Sequence, residues 1–234
     1  MTMMKRQGLS SFSLHISAMA FMLCDHLYLT LMPNLHLLRC IGRLAFPLFA
    51  FMAVEGCFHT RCFKKYLLRL ALLALISEVP FDLLVGGTVF YPDRQNVIWT
   101  IILGLCCIWA LERLKSVEGK AAVLCCAVLA ASFAAAYVAR VDYSGAGVLT
   151  LLAFYLFCGS SAKCRVLQLL SLGFINLVLL NGMSFAFPQQ GLAVLSLVFV
   201  WLYDGRQGLH GKPIQIAYYL FYPTHMLMLA ILAM

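Results

Sequence analysis

Apolar runs close to the ~20 residues that a helix needs to cross a bilayer follow one another along almost the whole chain, separated only by short charged or Gly/Pro-rich breaks. Nothing else constrains the fold as much. With 63% of 234 residues hydrophobic and 11% charged, the chain is far from soluble domains, which run at about 45–50% apolar and about 25% charged. A water-soluble fold of this size would have to cover its surface with apolar side chains. The composition excludes a disordered chain, a disulfide-rich secreted module and a DNA-binding domain. It predicts an all-α polytopic membrane protein.

Reading between the breaks predicts nine spans, at roughly 13–32, 42–58, 66–86, 96–112, 121–139, 145–159, 165–181, 190–204 and 214–233. The connections are short, so residues 1–234 read as a single domain without internal repeats. Lys5-Arg6 before an apolar run imitates a secretory signal. The A-x-A of that segment, Ala18-Met19-Ala20, falls at the start of the apolar run, where a cleavage site does not belong, so a retained first helix is expected. The formal charge of +8 would suggest nucleic acid in a soluble chain. Here the alternation of loops puts 13 of the 17 basic residues on one side and Arg39, Arg43, Arg94 and Arg140 on the other. By the positive-inside rule the N-terminus is expected in the cytoplasm.

The ten cysteines contain no CxxC, and Cys106-Cys107 and Cys125-Cys126 lie in apolar runs as small hydrophobes. Cys57 and Cys62 flank His59, a poor tetrahedral set. No metal is expected.

The informative residues are those that hydrocarbon should not contain. A central Asp costs roughly 2.5–3.5 kcal/mol on insertion scales, yet the first span carries Asp25-His26 and the second carries Arg43 and Glu55. The third has Glu78 and Asp82 around Pro80, and the ninth has His225. Most of them fall at similar depth, which predicts one internal, partly wet cavity. Asp25 and His26 point about 100° apart on a helix, so either a carboxylate that orients His26 comes from another helix or Asp25 reaches past it to a different partner. Glu78 and Asp82 share a face and repel unless paired; Arg43 or a histidine is the expected counter-group. Pro80 is expected to break the helix and free a carbonyl to line the cavity. Asn96, at the outer start of the fourth span, is expected to line the cavity from the outer side. The densest basic stretch, His59-Thr60-Arg61-Cys62-Phe63-Lys64-Lys65-Tyr66 with Arg69, has two readings. It is a positive-inside anchor, or it is a patch for an anionic cofactor in which His59, Arg61, Lys65 and Arg69 hold phosphate.

The runs Arg43-Leu44-Ala45-Phe46-Pro47-Leu48-Phe49-Ala50-Phe51, Val54-Glu55-Gly56 and His59-Thr60-Arg61 resemble the signature of the TraX family. So do Tyr66-Leu67-Leu68-Arg69-Leu70, Ser77-Glu78-Val79-Pro80-Phe81-Asp82 and Gln95-Asn96-Val97-Ile98-Trp99-Thr100. Asp25-His26 and Phe221-Tyr222-Pro223-Thr224-His225 complete the pattern. The resemblance is strong over residues 18–110 and 216–226, and little more than hydropathy between 115 and 190. TraX proteins are bacterial membrane proteins named for acetylating the N-terminus of a conjugative pilin. They resemble the wider transmembrane acyltransferases, including acyltransferase-3 proteins and the lysosomal glucosaminide N-acetyltransferase.

The resemblance implies transfer of an acyl group from cytosolic acetyl-CoA to an amine or hydroxyl, in the bacterial cytoplasmic membrane. It implies His26 with Asp25 as the catalytic pair, and Arg43, Glu78, Asp82 and His225 as cavity residues. An attacking amine must lose a proton, and imidazole has the nearest matching pKa, so His26 is expected as general base. The acceptor is expected to be a pilin-like peptide or a small amine. Direct transfer and a transient acyl-histidine both remain open. The competing reading is a proton-coupled small-molecule transporter, since buried carboxylates and histidines also make proton relays. Inverted repeats and matched broken helices, which that reading would favour, are not detectable in the sequence.

Overall fold

The computed structural model describes residues 8–115, 121–184 and 187–234, and the described residues form helices without a named strand. Helix α1 (Ser11–Thr30) begins where the Ser10 hydroxyl accepts the Ser13 N–H at 3.2 Å. The second apolar run folds as two pieces, α2 (His36–Gly42) and α3 (Ala45–His59). Pro47 sits in the first turn of α3, where its missing N–H is harmless. Its ring would clash with the carbonyl four residues back, that of Arg43, and the helix breaks there. Helix α4 (Phe63–Gly86) runs without interruption through Pro80 and stops at Gly87, which takes the left-handed conformation at φ +66°. The expected break at Pro80 is therefore absent: packing against α10 and α5 holds the helix on both sides of the missing hydrogen bond.

Asn96 caps α5 (Val97–Leu114) by accepting the Ile98 N–H. Then follow α6 (Ala121–Val138), α7 (Ser144–Leu156) and α8 (Ala162–Gly173), the last extended by a π-helical segment, Phe174–Leu179. A 3-10 segment, Pro188–Leu195, leads into α9 (Ser196–Leu202), and α10 (Lys212–Ala233) ends the chain.

Five stretches among the described residues are long and apolar enough to cross a membrane: Ser11–Thr30, His36–His59, Val97–Leu114, Ala162–Leu179 and Lys212–Ala233. The other four predicted runs are also helical. Of these, α6, α7 and Pro188–Leu202 are shorter, and α4 is long enough but carries Lys64, Lys65, Arg69, Glu78 and Asp82. Leu72, Leu75, Ile76, Leu170, Ile231 and Leu232 stand exposed on the outside of the bundle. An apolar exterior around a core with polar groups is the arrangement of a membrane protein.

Helices α3, α5, α7 and α9 surround one core with Leu48, Leu105, Leu151 and Leu197 at its centre. A smaller one, with Met22, Phe81 and Met226, joins α1, α4 and α10. The last helix packs against both α4 and α1, so opposite ends of the chain meet. At one end of the bundle lie Arg61, Lys64, Lys65, Arg69, Arg113, Lys115, Lys163, Arg165, Arg206 and Lys212. Lys5, Arg6 and Lys120 fall outside the described residues. At the other end the loop after α4 is laced to the turn before α7: the Gln95 N–H donates to the Arg140 carbonyl at 3.0 Å and the Asp142 N–H to that of Gln95 at 3.1 Å.

Candidate active site

Alpha-helical periodicity sends the adjacent residues Asp25 and His26 in different directions, and each finds its partner on a different helix. Asp25 accepts Arg39 Nη1 at 3.0 Å and a second, closer bond from Arg43 Nη2. Arg39 lies on α2 and Arg43 is the residue that caps its C-terminal end. The approach depends on Gly42: a Cβ there would lie 2.5 Å from Asp25 Cβ. We expect Gly42→Ala to cost about 1–3 kcal/mol by overpacking, measured as a lower unfolding temperature of the purified protein.

His26 faces α10. Its Nδ1 lies 2.8 Å from Nε2 of His225, with the two ring planes within 7° of parallel. His225 Nδ1 is 2.6 Å from the carbonyl of Phe221. A carbonyl only accepts, so His225 carries its proton on Nδ1 and offers a lone pair at Nε2. With both rings neutral, His26 must donate from Nδ1. Its Nε2 is thereby left without a proton. One expectation had a carboxylate from another helix orient His26; a buried histidine from the last helix does so instead. Asp25 reaches past it to the two arginines, as the other expectation had it.

His26 and Asp25 border a chamber of about 60 Å³ whose other walls include Phe46, Phe81, Asp142 and Tyr143. Met22, Phe49, Val97 and Tyr222 line both this chamber and a cleft of about 560 Å³. The cleft runs along α1, α3, α4 and α10 to the basic end of the bundle, where Ser11, His59, Thr60, Arg69, Gln207 and His210 frame it. His15 lines this cleft and stacks on Tyr218 with ring centroids 4.4 Å apart. His210 also borders it.

The remaining predicted residues divide among separate places, so the single shared cavity is not what forms. Glu55 and Arg69 line the large cleft with His59, whose Nδ1 bonds the Glu55 carbonyl at 2.9 Å. Arg61 and Lys65, expected with them, are exposed and do not line it. Arg43 pairs with Asp25 and is not the counter-group of Glu78 and Asp82. Glu78 instead accepts Trp99 Nε1 at 2.9 Å and the Asn96 amide. Asp82 accepts the Tyr91 N–H at 3.0 Å. On α4 it is Phe81 that faces the chamber, while the two carboxylates on the neighbouring face meet the start of α5 and the turn after α4. Asn96 is a buried cap that also donates to the Ala74 carbonyl at 3.0 Å; it does not line the chamber. Asp142, Tyr143 and Tyr222 escaped the sequence reading. Tyr222 sits within a recognised motif, but nothing in a short turn with one carboxylate distinguishes Asp142-Tyr143. Among the described residues no three His, Cys, Asp or Glu side chains converge as metal ligands would.

Fold and site together define a helical membrane protein with Asp25 and His26 at a small chamber that shares wall residues with a cleft reaching the basic end. The chain belongs to the TraX family: the family model described as TraX protein matches residues 11–233. It is also similar to a protein of Dichelobacter nodosus described as "Probable fimbrial assembly protein FimC, serogroup H1", at 29% identity over 238 residues, covering 94% of each chain. No solved structure matches.

Proposed function

We propose that this protein is an acetyltransferase of the bacterial cytoplasmic membrane that moves an acetyl group from cytosolic acetyl-CoA to an amine. In this reading the chain spans the bilayer nine times with its N-terminus and basic end in the cytoplasm. One observation carries it: the hydrogen-bond relay from the Phe221 carbonyl through His225 leaves Nε2 of His26 unprotonated, and His26 borders a chamber that shares four wall residues with the cleft from the basic end. A general base needs a free lone pair within reach of the proton that it takes.

The cleft, at about 560 Å³, lies in the range of cofactor sites, about 300–1,000 Å³. His59 and Arg69 at its mouth would hold CoA phosphates, with Arg61 and Lys65 adding charge nearby, while the pantetheine arm follows Tyr66, Tyr218 and Tyr222 inward. The chamber holds on the order of four water-sized units, enough for an acetyl group. The amine nitrogen attacks the thioester carbon and gives its proton to His26 Nε2. The leaving thiolate then takes a proton from the imidazolium. His225 stabilises that imidazolium by accepting from Nδ1. The fimbrial assembly name of the Dichelobacter nodosus relative supports an acceptor that is a fibre-subunit peptide N-terminus, in line with a kinship to the transmembrane acyltransferases.

Thermal unfolding of the detergent-purified protein with CoA or acetyl-CoA tests the reading. At a hundred times its dissociation constant a ligand adds about 2.7 kcal/mol, a shift of several degrees. Labelled acetyl-CoA should then modify a peptide amine. Neither a thermal shift nor a labelled product is compatible with a transporter. Absence of both ends the acyltransferase assignment.

A further inference from the structure

Tyr143 enters the chamber on a backbone that tyrosines seldom adopt. It stands at φ +59° and Ser144 follows at φ +47°, both in the left-handed region that sterically penalises residues with a Cβ. Such conformations persist where the surroundings over-determine them, and they cluster at functional sites. The turn is clamped from outside: Asp142 accepts Arg94 Nε at 3.1 Å and Nη2 at 2.6 Å, and its carbonyl takes the Thr100 hydroxyl. From inside, the Tyr143 ring stacks on Phe46 with centroids 4.0 Å apart and planes within 11°. A Cβ on Gly147 would come within 2.9 Å of Tyr143 Cβ, so only glycine allows this seat.

The phenol oxygen accepts Arg43 Nη1 at 3.5 Å. Arginine only donates, so the phenol proton remains to be given. Among the described residues it has no acceptor. Arg43 itself stands behind the wall, bound to Asp25 and to Gln190 Oε1 at 3.3 Å, while Tyr143 and His26 both border the chamber.

We propose that Tyr143 Oη is the donor that receives the negative charge on the acyl carbonyl oxygen, with Arg43 as the positioning residue that polarises it. The proposal rests on the acyl-transfer reading above. As the amine nitrogen bonds to the thioester carbon, the carbonyl π pair moves to oxygen and the Tyr143 O–H stabilises it. The ammonium proton passes to His26 Nε2. The carbonyl then re-forms, the C–S bond breaks, and the thiolate collects that same proton, giving one amide and one free thiol with nothing left over. A donor fixed in place before the reaction is worth most where charge develops in a dry site.

The test compares wild type with Tyr143→Phe, which keeps the ring on Phe46, and with 3-fluorotyrosine at position 143, which makes the phenol more acidic. Losing one such donor lowers kcat by about 10²–10³-fold. KM for acetyl-CoA and the thermal shift with CoA should hold, and the fluorinated protein should change kcat without moving the unfolding temperature. Tyr143→Phe with kcat within about threefold of an active wild type overturns the proposal alone. So does loss of CoA stabilisation in step with kcat. Should Tyr143→Phe fail to fold, an unaltered kcat in the fluorinated protein is the overturning result and an altered one the supporting result. A wild type that neither transfers acetyl nor responds to CoA ends the acyl-transfer reading, and this proposal with it.

Discussion

His26→Ala is expected to lower acetyl transfer by about 10²–10⁴-fold, the usual contribution of a positioned general base, in a protein that still reaches the membrane and still gains stability from CoA. The reasoning is geometric. The relay through His225 leaves Nε2 of His26 without a proton, and His26 borders the chamber that shares wall residues with the cleft. The histidine is half-buried, and an alanine there removes the base without introducing bulk. Single-turnover transfer to a peptide amine with purified protein makes the measurement. Wild-type rates in His26→Ala would exclude the imidazole from proton transfer and leave the relay as a mere tie between α1 and α10.

Asp25→Ala is expected to act first on stability. The Asp25 side chain is 16% exposed and that of Arg43 11%, and Asp25 is held by two guanidinium groups, from α2 and from its C-cap. Removing one partner of a buried ion pair costs about 3–5 kcal/mol, because it strands the opposite charge. Here it strands two, with Arg43 Nε already buried without a partner. Unfolding in detergent should shift to markedly lower temperature or denaturant. Asp25→Asn, which keeps one acceptor oxygen, should recover part of the loss. An Asp25→Ala protein as stable as wild type, but inactive, would return Asp25 to a direct role in the reaction.

These two neighbours show what periodicity can and cannot supply. The 100° step of a helix separates Asp25 from His26 and correctly denies them to each other. It says nothing of what each meets. Arg43 was the reasonable counter-charge for Glu78 and Asp82 on depth alone. The break that Pro47 forces at Arg43 turns that side chain toward α1 instead, and Glu78 is left to Trp99 and Asn96. The basic loop divided in the same way: His59 and Arg69 line the cleft while Arg61 and Lys65 point to solvent, because α4 begins between them at Phe63 and carries Arg69 back toward the bundle. Tyr143 had no signal at all, since its value comes from a left-handed turn, Phe46 and Gly147 acting together.

From its amino acids alone, then, this protein is committed to helices in a lipid environment, and a few ionisable groups are marked out by the expense of placing them there. Composition and spacing are local properties, and they suffice for that. Which of those groups meet was decided by the order in which the helices pack. His26 and His225 are separated by 199 positions and become neighbours only because α10 lies against α1. Tyr143 joins them because two loops at one end of the bundle are laced together. Contacts of such separation depend on the whole arrangement of helices, and no stretch of sequence contains it.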